Sequence, residues 1–164
     1  MKKLLTILFV TAVAQLGFGQ DTLIKSMATS DGATIISDGK LEIIIYERST
    51  LTDNKYHIIN NLIFVNKKII SQKKASQSDI LNINNDVLYK KAKSIDLDNL
   101  NDKYVDNATA NSDSEYEFII KLDGKTYTIH VYKVKIKPLF NLVKMINSQL
   151  PEGSKIGYDK QYLD

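Results

Sequence analysis

The sequence predicts an α+β fold, an antiparallel sheet of short strands and hairpins with two helices packed on one face. Three observations carry this. Short β-prone runs are joined by Asp-Gly or Asn-rich turns, the pattern of hairpins between adjacent strands. Two other stretches place apolar residues at steps of three and four, as amphipathic helices do. The order is strands, helix, two strands, helix, which places helices against an antiparallel sheet rather than between parallel strands.

The chain begins with a segment of a different kind. Met1-Lys2-Lys3 is basic, Leu4 to Leu16 is mostly apolar, and Gly17-Phe18-Gly19 presents small residues at the two positions read by a signal peptidase. Basic end, apolar middle and small-x-small exit are the parts of a secretory signal peptide. The apolar run is interrupted by Thr6, Thr11 and Gln15 and falls short of the roughly 20 apolar residues of a spanning helix. Residues 1–19 are therefore expected to be removed, with the cut between Gly19 and Gln20.

Removal leaves 145 of the 164 residues, a single-domain length. Lys2 and Lys3 leave and no acid does, so 22 basic against 19 acidic residues becomes 20 against 19, net +1. Such a balance carries no argument for nucleic acid, an anionic membrane or an acidic substrate. Cysteine is absent, which excludes disulfides, thiolate metal sites, cysteine nucleophiles and the acylated cysteine of a bacterial lipoprotein. The expected location is periplasmic or extracellular, soluble and not lipid-anchored, with no stable membrane insertion after cleavage.

Residues 20–33 are polar and read as a loose N-terminal arm, and residues 34–151 as a single α+β domain. Ala33 to Ser37 and Lys40 to Glu47 are β-prone and separated by Asp38-Gly39, a hairpin signal. Leu41 to Tyr46 is nearly all apolar, as in a central strand. Lys55 to Ile59, Leu62 to Val65 and Ile69 to Lys73 read as three short strands punctuated by Asn60-Asn61 and by Asn66-Lys67-Lys68. Lys67, Lys68, Lys73 and Lys74 then read as a solvated tip and edge protection.

The helical period starts near Ser78. Ile80, Ile83, Val87, Leu88, Ala92 and Ile95 form one stripe, with Ser78 as N-cap and Lys90, Lys91 and Lys93 in the last turns. The expected helix runs from about residue 79 to about 95. Asp96 to Ser114 is the most polar stretch. Leu97 and Leu100 fit one further helical turn, and the rest reads as a surface loop.

Glu115 to Leu122 and Lys125 to Lys137 are strands joined by Asp123-Gly124. In the second, Tyr127, Ile129 and Val131 alternate on one face, then Tyr132, Val134 and Ile136 on the other. A period of two requires a bulge or sharp twist near Val131-Tyr132 to do this. Pro138 suits the first turn of a final helix with Leu139, Leu142, Val143 and Ile146 buried. Residues 152–164 read as a polar C-terminal tail. Tyr158 and Tyr162 there, with Tyr104, are the tyrosines placed for exposed contact. Tyr46, Tyr56, Tyr116, Tyr127 and Tyr132 read as strand residues.

No chemical signature emerges. His57 and His130 lack metal-ligand spacing and read as structural or surface residues. Asp96, Asp98 and Asn99, or Asn111, Asp113 and Glu115, offer oxygen ligands, but Leu100 and Asn101 stand where a calcium loop needs a ligand and a glycine. Nucleophile elbows and phosphate-cradling loops are missing. No catalytic, cofactor-binding or metal-binding residue is assigned, and no cofactor is expected. Asn107-Ala108-Thr109 fits a glycosylation acceptor and agrees with a surface loop.

The hydrophobic strand from Leu41, the following short strands and helix, Asp102-Lys103-Tyr104-Val105-Asp106, the Asp123-Gly124-Lys125 hairpin and the Leu139 to Pro151 helix follow one another in a recognisable order. Over residues 41–150 the chain resembles the small exported domains of unknown function found in Bacteroidota. Some of those carry a cysteine-containing motif after the first strand, where this chain has Ser49, Thr50 and Leu51. The resemblance implies no activity and no site residues. The expected function is a non-enzymatic binding or interaction module of the cell envelope, with an envelope protein or glycan as partner. The alternatives are a small carboxylate-dependent hydrolase and a secreted inhibitor or immunity-type protein.

Overall fold

The computed structural model describes residues 26–28, 34–71, 76–106 and 114–158, with backbone alone at 26–28, 34–36 and 76. The strands are β1 (Ser26–Ala28), β2 (Thr34–Ile36), β3 (Leu41–Arg48), β4 (Thr52–Ile59), β5 (Leu62–Ile69), β6 (Ser76–Asn82), β7 (Lys103–Val105), β8 (Glu115–Leu122) and β9 (Lys125–Tyr132). The helices are α1 (Asn85–Lys93) and α2 (Lys137–Asn147), with single 3-10 turns at Leu97–Asn99 and Glu152–Ser154. β1 and β2 pair with each other, and the other seven strands form one sheet in the order β6-β5-β4-β3-β8-β9-β7. All pairings are antiparallel except β7 with β9.

β3 is the middle strand, as its nearly all-apolar run predicts. Ile43 lies between Ile58 and Ile120, and Ile45 between Tyr56 and Phe118. These residues share one face with Ile63, Val65, Tyr116, Ile129 and Val131, all buried. Leu88 and Ala92 of α1 and Leu139, Leu142, Val143 and Ile146 of α2 belong to the same core cluster.

The two Asp-Gly pairs part company. At Asp123-Gly124 both residues have positive φ, 49° and 83°, and Leu122 pairs with Lys125 across a two-residue hairpin. At Asp38-Gly39 only the glycine does, at 76°, and the pair does not join a hairpin. Both edges of β3 are taken by β4 and β8, so β2 pairs with β1 instead. Asp38 Oδ1 accepts the Lys40 amide at 3.0 Å, and the Asp38 amide donates to Asn60 Oδ1 at 3.1 Å. The bend serves to turn the chain into the sheet.

Three further expectations are corrected. Asn66-Lys67-Lys68 does not break the chain. It continues β5, paired with Asp53, Asn54 and Lys55 of β4. Asn60-Asn61 is the turn expected, with Asn60 at φ 53°. Residues 76–82 are strand rather than the start of a helix, because they pair with β5 along its whole outer edge. Ile80, counted in the helical stripe, is 61% exposed. The helix begins at Asn85 with Asn84 as its cap, whose Oδ1 accepts the Val87 amide at 3.2 Å. Finally, β9 ends at Tyr132 rather than Lys137. Lys133 takes φ 60°, which ends the strand where the phase change demanded a break.

The chain beyond residue 151, read as a polar tail, is packed as far as Tyr158. Ile156 and Tyr158 are fully buried. Tyr158, placed for exposed contact by the sequence, makes edge contacts with Tyr116 and Phe118 at 4.9 and 5.3 Å. Lys73, Lys74, Asn111, Asp113 and Tyr162 lie outside the described residues, as do residues 1–25.

Candidate functional site

His57 and His130 do not meet, since β3 and β8 lie between their strands. His57 Nε2 is 2.9 Å from Glu42 Oε1, and Lys121 Nζ is 2.8 Å from Glu42 Oε2. Burial pushes the Glu42 carboxyl up, but the His57 and Lys121 hydrogen bonds and the Lys121 charge outweigh it and hold the group below its ordinary value. Among the described residues, no three His, Asp or Glu side chains come together as a metal site would need. Of the calcium candidates, Asp98 binds Lys125 Nζ and Tyr127 Oη, and Asp96 accepts from Asn99 Nδ2 at 2.7 Å.

A second buried carboxylate is Glu47, on the opposite face of β3 from Glu42. Its Oε2 accepts from Asn54 Nδ2 at 3.2 Å and Tyr56 Oη at 2.9 Å. Its Oε1 accepts from Tyr116 Oη at 3.0 Å and the Gly157 amide at 3.1 Å. Burial first, then the charge and hydrogen bond of Glu47, push both tyrosine hydroxyls well above their ordinary range. They therefore stay protonated and donate. A Cβ on Gly157 would collide with Glu47 Oε1, so the contact requires glycine. Sequence reasoning passed over this knot. The signal was parity: Glu47 falls in step with Ile43 and Ile45, which places it on the buried face.

Gly157 belongs to a strap that crosses the sheet strand by strand. Ser154 Oγ is 3.4 Å from Asp79 of β6, and Lys67 Nζ of β5 donates to Gly153 O at 2.6 Å. Tyr56 Oη of β4 lies 3.2 Å from Lys155 O, and Gly157 reaches Glu47 of β3. Tyr158 Oη accepts the Ile136 amide at 2.9 Å and donates to Val134 O at 3.1 Å. Asn147 of α2 holds Ile156 by both its amide and its carbonyl. The knot is thus a clamp with both carboxylate oxygens of Glu47 engaged.

Open surfaces lie elsewhere. A shallow depression at the start of α1 is lined by Asn61, Asn82, Ile83, Asn84, Asp86 and Gln149, where Gln149 Oε1 accepts the Asn84 amide at 2.7 Å. At the end of the sheet where β3 turns into β4, Leu51, Ile70 and Ile69 are 66, 52 and 39% exposed. The Ile70 amide donates to Leu51 O at 2.9 Å, which brings these two together, while Ile69, paired with Thr52, falls in step with Ile63 and Val65 on the other face. At the same end of the sheet, the Arg48 guanidinium sits 4.6 Å over the Tyr46 ring and 3.1 Å from Glu117 Oε2.

Comparison with protein families finds none that matches the chain, and comparison with curated proteins finds no match. Among the described residues, no helix is long and apolar enough to cross a membrane.

Proposed function

We propose that this protein is an exported, non-enzymatic binding module that meets a protein partner through the β3–β4 tip. One observation carries the reading: Leu51 and Ile70 form an exposed aliphatic pair at the end of the sheet that also carries the Arg48–Tyr46 stack. Grouped exposed apolar side chains mark interaction surfaces, and arginine and tyrosine are the residues that most often anchor them. A carboxylate-dependent hydrolase would need two acids converging in a concave site. The depression by α1 carries Asp86 alone, and Glu47 has four donors on its two oxygens.

The test is recovery of a partner from envelope extract by the wild-type chain and by Leu51→Asp/Ile70→Asp. Both residues are exposed, so the fold is expected to survive. A partner recovered by wild type and lost with the double variant supports the tip. Equal recovery, or hydrolysis in a substrate screen with nothing recovered, overturns it. The same apolar group suits a secreted inhibitor; there the recovered partner is an enzyme whose activity falls on addition of this protein. Export itself rests on residues 1–19. A mature chain starting at Gln20 is expected on N-terminal sequencing, and retained Met1 would overturn it.

A further inference from the structure

The near-neutral net charge hides a strong local imbalance. Between Asp123 and Glu152 the chain has no acidic residue, while it carries Lys125, Lys133, Lys135, Lys137 and Lys144. Lys125 is bound to Asp98 and Lys133 lies over Tyr132 of β9, but Lys135, Lys137 and Lys144 gather around α2. On that helix Leu139, Leu142, Val143 and Ile146 are buried, whereas Lys137 and Lys144 are exposed, seven residues apart and on one face with Phe140. Lys144 Nζ and Lys135 Nζ lie 5.7 and 4.3 Å from the Phe140 ring centre. Among the described residues, Lys137 and Lys144 make no ion pair. The first turn of α2 contains no acid.

We propose that this outward face of α2 is a docking surface for an anionic phospholipid bilayer. Charge complementarity is the argument. The cations are all lysines, which are mobile point charges suited to a diffuse array of phosphates; a defined carboxylate partner favours the planar fork of arginine. The patch is a convex helix face, and its lysines flank an aromatic ring. Because the apolar side of α2 is committed to the core, the helix cannot insert. Attachment is peripheral, electrostatic and weakened by salt. The surface is distinct from the β3–β4 tip, so the two readings stand or fall separately.

Co-sedimentation with vesicles tests this. The chain is compared on phosphatidylcholine vesicles with and without phosphatidylglycerol, as wild type, as Lys135→Gln/Lys137→Gln/Lys144→Gln, and as Lys40→Gln/Lys68→Gln/Lys90→Gln. The last variant loses the same charge from other exposed positions. All carry the same N-terminal residues, and circular dichroism checks their folding. Wild type is expected to bind only the anionic vesicles and to release them as sodium chloride rises from about 0.05 to about 0.5 M, where the Debye length falls about threefold. The α2 variant should lose about fivefold in binding for each lysine removed, and the control variant should stay near wild type. Equal loss in both variants, unchanged binding by the α2 variant, binding to neutral vesicles, or loss on Leu51→Asp/Ile70→Asp would each overturn the assignment. Binding to heparin with none to vesicles would overturn it in favour of a soluble polyanion.

Discussion

Glu42 and Glu47 stand on one strand, face opposite sides of one sheet and are both buried, yet they are satisfied in opposite ways. Glu42 is matched by charged or chargeable groups on the two adjacent strands, His57 and Lys121. Glu47 is matched by neutral donors, two of them tyrosine hydroxyls, and one of the four comes from a chain segment 110 residues away. A buried carboxylate needs donors on its lone pairs, but the source of the donors decides what it does for the fold. Glu42 reinforces a sheet that its neighbours already define. Glu47 ties the C-terminal strap across that sheet.

Removing Glu47 should therefore do the most damage. Glu47→Ala removes the carboxylate acceptor of two tyrosine hydroxyls, an amide side chain and the Gly157 N–H at once. The expected loss is about 3–5 kcal/mol in urea unfolding, from the penalty of stranding buried donors. A change under about 1 kcal/mol would remove the knot from the account. Gly157→Ala comes next. Its Cβ collides with Glu47 Oε1, and the expected cost is about 2–3 kcal/mol. Hydrogen exchange sharpens this one: protection should fall first at residues 152–158, before the central strands. Even loss throughout the sheet would mean that the strap is no separate unit.

Tyr158→Phe keeps the ring contacts and loses the hydroxyl shared by Ile136 and Val134, for about 1 kcal/mol. The smallest effect belongs to Glu42, and it is a pH effect. Because the folded group titrates below its ordinary 4.5, the stability it adds is present above that pH and is lost as pH falls through the lower folded value. Stability of Glu42→Gln should thus vary less with pH below about 4.5 than that of wild type. A wild type and variant that fall in parallel on acidification would show that the His57 and Lys121 contacts do not favour the charged form.

What could be read in the chain followed local rules. Leu41 to Tyr46 has too few polar residues for anything but a central strand. Asp123-Gly124 has the chemistry of its turn, and Pro138 with Leu139, Leu142, Val143 and Ile146 marks α2. Ser76 to Asn82 was misread because Ile80, Ile83 and Val87 fit a helical stripe, while the open edge of β5 offered backbone partners that no local period encodes. β7 was missed for the same reason, being a three-residue strand defined only by its parallel partner β9. Lys67 looked like solvent-facing charge, and it donates to the strap.

By itself, then, the sequence determined which runs are apolar, where the positive-φ turn at Asp123-Gly124 falls, that no cysteine chemistry exists, and the α+β class. These depend on residues close in the chain. Tertiary structure alone decided that Asp38-Gly39 is a bend rather than a hairpin, that residues 152–158 cross the sheet, that Glu47 is a clamp, and that Lys135 joins Lys144 over Phe140 of α2. Each depends on groups distant in sequence competing for the same edge, lone pair or surface, and that competition is settled only when the chain is folded.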